Sequence, residues 1–275
     1  QVLIDSLNPQ NLANTAWAFA TLGIRDDALM RAISNRAQVL IDRFNPQDLA
    51  NTAWAFATLG IRDDALLRAI SNRAQFLIDR FNPQDLANTA WAFMVFIAIS
   101  DEASAENTSK LIDNINFITN DIKSFEKAEI AHVQIFHQVM HFFKSRGIKP
   151  SDHFKALIGG VQDRIDGEQT PESSTLHKKV ATTLSKLNIS YQSEVLVGGY
   201  YVDILLDDSK VIIEVDGPFH FGTDCNGNKF PLGHTLLKRD VLKKLGYQVI
   251  SVPYWDWDGR NSDQHKEYLQ ALLRT

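Results

Sequence analysis

The sequence predicts an α-solenoid of helix pairs over residues 1–165, a polar linker over 166–174 and an α/β domain over 175–275. Three observations carry this. Residues 8–44 and 45–81 differ only where Asp48, Leu67 and Phe76 replace Asn11, Met30 and Val39. A third copy opens at Asn82, so the period is 37 residues, from Asn8 to Asn45 to Asn82. A fixed period of this size marks stacked repeats, because one unit cannot bury its apolar faces alone. Beyond the linker, apolar residues change from helical spacing to the alternation of strands.

Each repeat reads as two helices. In the unit 45–81, Asn45 is a good N-cap and Pro46 suits the first helical position, where no N–H is needed. Asp48 lies in the first turn, favourable to the helix dipole. The helix is expected to run to Leu59, with Gly60 beyond its end. Leu49, Ala53, Phe56, Ala57 and Leu59 form an apolar stripe that Trp54 broadens, which assigns Trp17, Trp54 and Trp91 to the core. A second helix starts near Asp63 or Asp64 and carries Leu66, Leu67, Ile70, Ala74, Leu77 and Ile78. The unit 82–118 drifts after Phe93: Ile97 stands where Gly60 stood, 101–107 reads as loop, and 111–118 as the second helix. A degenerate fourth unit, 121–165, is expected from helices over 125–143 and 152–165, with a stop at Gly147 and a break at Pro150. The first seven residues, QVLIDSL, match the end of a repeat, so further units are expected upstream.

The α/β domain reads αβββαβα. A helix over 175–187 precedes strands over 191–197, 200–206 and 211–215, with turns at Gly198-Gly199 and Asp207-Asp208. A helix over 236–245 ends at Gly246, a strand covers 248–252, and a helix covers 262–273.

The net charge of −5 argues against a sequence-independent nucleic-acid binder, which is normally basic. Any such contact has to rest on local patches. The one cysteine, Cys225, excludes an internal disulfide framework and fits a reducing compartment. No stretch approaches the roughly 18 apolar residues of a membrane span, so no membrane partner is expected.

In the repeats, Gln47, Asn51, Ala55 and Thr58 share one helix face, and the amides recur as Gln10 and Asn14 and as Gln84 and Asn88. Amide side chains read base edges, and helical-repeat RNA binders take about one base per unit. The same amides equally suit a solvated face or bonds between repeats. Arg25, Arg62, Arg31, Arg68, Arg36 and Arg73 supply either phosphate contacts or solvated surface. Trp255 and Trp257 flank Asp256 after a strand end, where aromatics stack on unpaired bases or pack the domain edge. His220, Cys225 and His234 are spaced unlike the usual zinc motifs.

Several segments of the C-terminal region match one family in order. They are Tyr201-Val202-Asp203-Ile204, Ile213-Glu214-Val215-Asp216-Gly217-Pro218-Phe219-His220-Phe221, Thr235-Leu236-Leu237-Lys238-Arg239 and Leu245-Gly246-Tyr247, running into Val252-Pro253-Tyr254-Trp255-Asp256-Trp257. This region resembles the RAP domain, and the helix pairs resemble octotricopeptide (OPR) repeats. His137-Gln138 is similar to the segment usually found just upstream of RAP. Proteins of this architecture are regarded as RNA-binding factors, mostly in mitochondria and chloroplasts, with bacterial relatives. The resemblance therefore implies single-stranded RNA as partner, together with ribosomal or RNA-processing proteins. It also implies an intracellular location, organellar in a eukaryote and cytoplasmic in a bacterium.

The RAP domain is itself similar to the PD-(D/E)xK endonuclease-like fold. In such nucleases two strand carboxylates hold Mg²⁺ or Mn²⁺, which activates water and polarises the phosphate. The resemblance places Asp203 and Glu214 as metal ligands and catalytic acids, Asp216 where the family has Lys, and His220 as an acid or base. It gives Lys238 and Arg239 as phosphate contacts. The missing lysine puts hydrolysis in doubt. The helical acid of the family has no match, and His177-Lys178 stands on that helix. Three readings follow: an RNA-binding processing, stability or translation factor; a metal-dependent endoribonuclease; or a non-catalytic, ribosome-associated scaffold. In the binding reading Gln10, Asn14, Gln47, Asn51, Gln84, Asn88, Lys238, Arg239, Trp255 and Trp257 contact RNA.

Overall fold

The computed structural model describes residues 2–100, 105–122, 129–161, 172–207 and 209–274. The chain divides into two compact units, Gln1–Gly167 with Phe221–Leu237, and Glu168–His220 with Lys238–Thr275. The span 175–275 is therefore interrupted: the chain leaves the second unit after His220 and re-enters it at Lys238.

The first unit opens with α1 (Val2–Asp5), α2 (Pro9–Thr21), the two-residue strand β1 (Ile24–Arg25) and α3 (Asp27–Leu40). Then come α4 (Pro46–Thr58), α5 (Asp64–Leu77), α6 (Pro83–Ala98), α7 (Ala105–Asp121), α8 (Ile130–Ser145) and α9 (Asp152–Gly159). The first helices of successive repeats pack in a row, α2 on α4 and α4 on α6. Their starts are set by Asn8, Asn45 and Asn82, whose side chains accept the backbone N–H three residues on. Asp48 and Asp85 return that bond and close a capping box, which Asn11 does not. Gly23 and Gly60 follow the helix ends with φ of 64° and 63°. Between repeats, Ser34 Oγ donates to Asp63 Oδ2 at 2.6 Å, and Arg73 Nη2 to the Asp42 carbonyl at 2.7 Å.

Two expectations change here. Residues 105–107, expected as loop, belong to α7, while 101–104 lie outside the described residues. The tryptophans are not uniformly core: Trp17 is 46% exposed, Trp54 is half-buried and Trp91 is buried. Trp54 follows Gln47 by seven residues and Asn51 by three, so it lies at the edge of the polar face. The three indoles form a seam across the repeats, with ring centroids 6.4 and 6.3 Å apart. The expected helices over 125–143 and 152–165 appear as α8 and α9, with 123–128 and 162–171 outside the described residues.

The excursion 221–237 carries a hairpin the sequence did not signal, β5 (Phe221–Asp224) and β6 (Lys229–Pro231). Strand β5 pairs in parallel with β1, and Thr223 N–H donates to the Gly23 carbonyl at 2.8 Å. Arg25 lies over the Phe230 ring, 5.6 Å from its centroid.

The second unit contains α10 (Thr175–Lys186), β2 (Tyr191–Val197), β3 (Tyr200–Leu206), β4 (Val211–Asp216) and α11 (Gly233–Lys244), whose first turn groups with the other unit. It ends with β7 (Gln248–Pro253), the short α12 (Tyr254–Trp257) and α13 (Ser262–Leu272). The sheet order is β2-β3-β4-β7, antiparallel except for the parallel pair β4–β7. This is the expected αβββαβα order with α12 added. Val180 and Leu184 of α10 and Leu269 of α13 pack on Ile204, Ile213, Val215 and Ile250. Leu242 of α11 packs on Val202 and Ile212 from the other face.

The β2–β3 turn uses Gly198 and Gly199 at φ of 58° and 81°. A Cβ on Gly198 would stand 2.4 Å from Leu245 Cδ1. Gly198→Ala is therefore expected to lower unfolding free energy by about 1–2 kcal/mol from the left-handed backbone alone, and by more if Leu245 does not yield. Urea unfolding followed by circular dichroism checks this, and an unchanged midpoint would refute it.

Candidate functional site: a carboxylate cluster on the sheet

Strand β4 alternates Ile213 and Val215 toward α10 with Ile212, Glu214 and Asp216 on the face covered by α11. That parity puts two carboxylates opposite α11, and both are essentially inaccessible, Glu214 at 2% and Asp216 at 1%. Consecutive residues of the helix answer them. Lys238 Nζ donates to Glu214 Oε2, and Arg239 Nη2 donates to Asp216 Oδ2 at 2.6 Å. Ser251 Oγ on β7 also donates to Asp216, and His220 Nδ1 stands 3.3 Å from Asp216 Oδ1. Burial pushes the Glu214 carboxyl up to about 7, against the pull of Lys238 and with the help of Asp203 and Asp216. Burial lowers the pKa of His220, outweighing Asp216 and Asp203.

The structure thus gathers Asp203, Glu214, Asp216, His220, Lys238 and Arg239 into one electrostatic cluster. It also brings a lysine ammonium beside Glu214 from a helix, where the strand itself offers Asp216. Lys238 and Arg239, expected as phosphate contacts, are ion-paired with Glu214 and Asp216. Glu214 Oε1 is buried with no hydrogen-bond partner among the described residues.

Asp203 is held differently. Its Oδ2 accepts the Val215 N–H at 2.6 Å, replacing a ladder bond after β3–β4 pairing stops at Ile204–Ile213. On β2, Tyr191 packs toward α10, while Val195 and Val197 pack toward α11, although all three are odd-numbered. The strand changes face at Glu194, which adopts φ of 54°, and β3 changes face between Val202 and Ile204. A non-glycine residue in the left-handed region costs of order 1 kcal/mol. The distortion sets Glu194 toward Asp203 and toward His177 of α10, whose Nδ1 lies 3.0 Å from Glu194 Oε1 and 4.0 Å from Asp203 Oδ1. Glu194 was not singled out from sequence. Its one visible signal is the run Gln192-Ser193-Glu194, three polar residues in a strand that should alternate.

The aromatic pair after β7 divides. Trp255 is 39% exposed. Trp257 is enclosed at 2% and stacks on His265 at 3.9 Å, so the expected base contact is corrected: its ring face is used inside the protein. Cys225 is an exposed free thiol. In the first unit Gln10, Asn14, Gln47 and Gln84 are exposed, and Asn51 and Asn88 are half-buried. None of these six amides bonds to another described residue, so they do not form ladders between repeats. Ala55 and Thr58, expected on the same face, are buried. Arg25 and Arg62 pair with Asp27 and Asp64 at 2.7 Å.

Residues 213–272 match the model of the RAP domain, so the chain carries a RAP domain from β4 to the end of α13. Residues 2–104 match the model of the RNA-editing substrate-binding complex 6 protein. A chloroplastic RAP domain-containing protein of Oryza sativa subsp. japonica is 31% identical over 102 residues, covering 37% of this chain and 16% of its own. The mitochondrial FAST kinase domain-containing protein 3 of Rattus norvegicus is 34% identical over 126 residues, 38% of this chain and 19% of its own. Its Homo sapiens counterpart is 29% identical over the same length. The chain thus spans less than a quarter of the length of these relatives.

Removing one member of a buried ion pair strands the other. Arg239→Met is expected to cost about 3 kcal/mol, with Asp216→Asn in the same chain restoring part of it. Chemical denaturation of the single and double variants reads this. Equal stability of Arg239→Met and the parent would remove the ion pair from the account of the fold.

Proposed function

We propose that the chain binds single-stranded RNA across the repeat helices and serves RNA processing, stability or translation in an organelle. The observation that carries this is the recurrence of Gln10/Asn14, Gln47/Asn51 and Gln84/Asn88 at one position on three adjacent helices, with no partner for any of the amides among the described residues. A Gln or Asn amide both donates and accepts, which suits base edges. Trp17, the exposed end of the indole seam, borders the same face and offers a stacking surface. The two family matches and the chloroplastic and mitochondrial relatives support the RNA reading and the compartment.

With Lys238 and Arg239 paired, phosphate contact by the second unit falls to other cations. Lys178, Lys179 and Lys186 line a groove of about 360 Å³ with Thr182, Ser262 and His265, and none of the three lysines is in an ion pair among the described residues. A second reading, metal-dependent cleavage within an endonuclease-like fold, is favoured by the unpartnered Oε1 of Glu214. Asp203 and Glu214 would hold Mg²⁺ or Mn²⁺, which would supply water activation and charge neutralisation at the phosphate.

Units 8–44 and 45–81 carry identical amides, so they should read identical bases. Fluorescence anisotropy is expected to show preference for a short homopolymer over scrambled RNA of equal length. The double variant Gln47→Ala/Asn51→Ala is expected to lose about tenfold in affinity, and Trp17→Ala a similar factor, from base stacking worth about 1–3 kcal/mol. Equal binding to scrambled RNA would sink one-base-per-unit reading. No RNA affinity at moderate salt would favour a protein scaffold. RNA shortened with Mn²⁺, and protected by EDTA and by Asp203→Ala, would establish the cleavage reading.

A further inference from the structure

The structure assigns a binding site for a divalent first-row transition cation to His177, Glu194 and Asp203, separate from the Glu214–Lys238 and Asp216–Arg239 pairs. Among the described residues this is the one set of three His, Cys or carboxylate groups whose ligand atoms all lie within 4.8 Å of one another. The His177 side chain is 3% exposed, and its Nδ1 is buried without a hydrogen bond. The 3.0 Å approach to Glu194 Oε1 is therefore a contact without hydrogen-bond alignment. With its hydrogen on Nε2, the ring bonds Ser193 Oγ at 3.3 Å and leaves Nδ1 as a bare nitrogen 3.0 and 4.0 Å from two carboxylate oxygens. An unprotonated nitrogen beside two carboxylates is repulsive until a cation enters among them.

Each ligand is also held by a hydrogen bond of its own, as metal ligands generally are. Ser193 holds the imidazole, Ser173 Oγ donates to Glu194 Oε1 at 2.9 Å, and the Val215 N–H holds Asp203 Oδ2. The left-handed backbone at Glu194 is what aims its carboxylate here. The 3.0 and 4.0 Å separations of Nδ1 from the two carboxylate oxygens suit an ion roughly 2.1 Å from each. One imidazole nitrogen with two carboxylate oxygens selects a transition cation over Mg²⁺ or Ca²⁺, which take oxygen alone. Glu194 and Asp203 are 15% and 25% exposed at the side chain, so the ion would keep water-filled positions.

The test uses Mn²⁺ and the full chain without RNA, so its outcome is independent of the RNA reading. Titration followed by electron paramagnetic resonance is expected to show one bound Mn²⁺ per chain, with a nitrogen modulation in the pulsed spectrum. Glu194→Gln should weaken binding at least tenfold, and His177→Gln should remove the nitrogen signal, each in protein whose circular dichroism is unchanged. Glu214→Gln should leave affinity within about threefold. Binding lost in Glu214→Gln but kept in Glu194→Gln would move the ion to the Asp203–Glu214 pair and overturn the assignment. Absent binding, or binding that neither variant changes, would overturn it too.

Discussion

Glu214 and Asp216 sit on one face of a buried strand, and two charges in such a place must be matched or neutralised. Bringing one ion out of water costs several kcal/mol even after relaxation. Lys238 and Arg239 meet that requirement from successive positions of α11, which fixes the rotation of this helix about its axis relative to the sheet. Leu242 then falls on Val202 and Ile212, and Arg239 reaches Ser251 on the neighbouring strand. An apolar face would have packed with less demand on register. The ion pairs exchange that tolerance for one defined arrangement, and they hold His220 beside Asp216 within it.

Local signals in the sequence located most elements. Asn-Pro at the starts of α2, α4 and α6 and the glycines past α2 and α4 each act within a few residues, and each has its element in the structure. Long-range pairing was not legible. Gly23-Ile24-Arg25 and Gly60-Ile61-Arg62 are the same three residues, yet only the first forms a strand, because only it has β5 beside it. Propensity cannot distinguish two identical words; their neighbours do. The tryptophans show the same limit. Trp17 and Trp91 occupy equivalent positions, one largely exposed and one buried, because burial depends on what is stacked over each repeat.

Part of the cluster was readable and part was not. Asp203 and Glu214 stand out because charge in the middle of an apolar strand is costly, and Asp216 because it stands where the resembled family has Lys. Their pairing with Lys238 and Arg239 depends on the helix phase, which a motif does not state. Glu194 was hidden for a different reason. Its position depends on a backbone turned into the left-handed region inside a strand, and no residue type announces that for a glutamate. Arg25 and Arg62 on the repeats, and Lys238 and Arg239 in the second unit, are paired with protein carboxylates, while Arg31 and Arg68 are exposed.

The excursion of 221–237 bears on how the molecule is made. Chains emerge from the ribosome N-terminus first, and domains usually close in that order. Here the helical unit lacks its last strands until residue 237 has been synthesised, after β2, β3 and β4 have already emerged. The second unit in turn waits for Lys238 and Arg239, without which the carboxylates on β4 have no counter-charge. The last strands of the helical unit are therefore synthesised only after β2, β3 and β4 of the other unit, and the cations that answer Glu214 and Asp216 come later still.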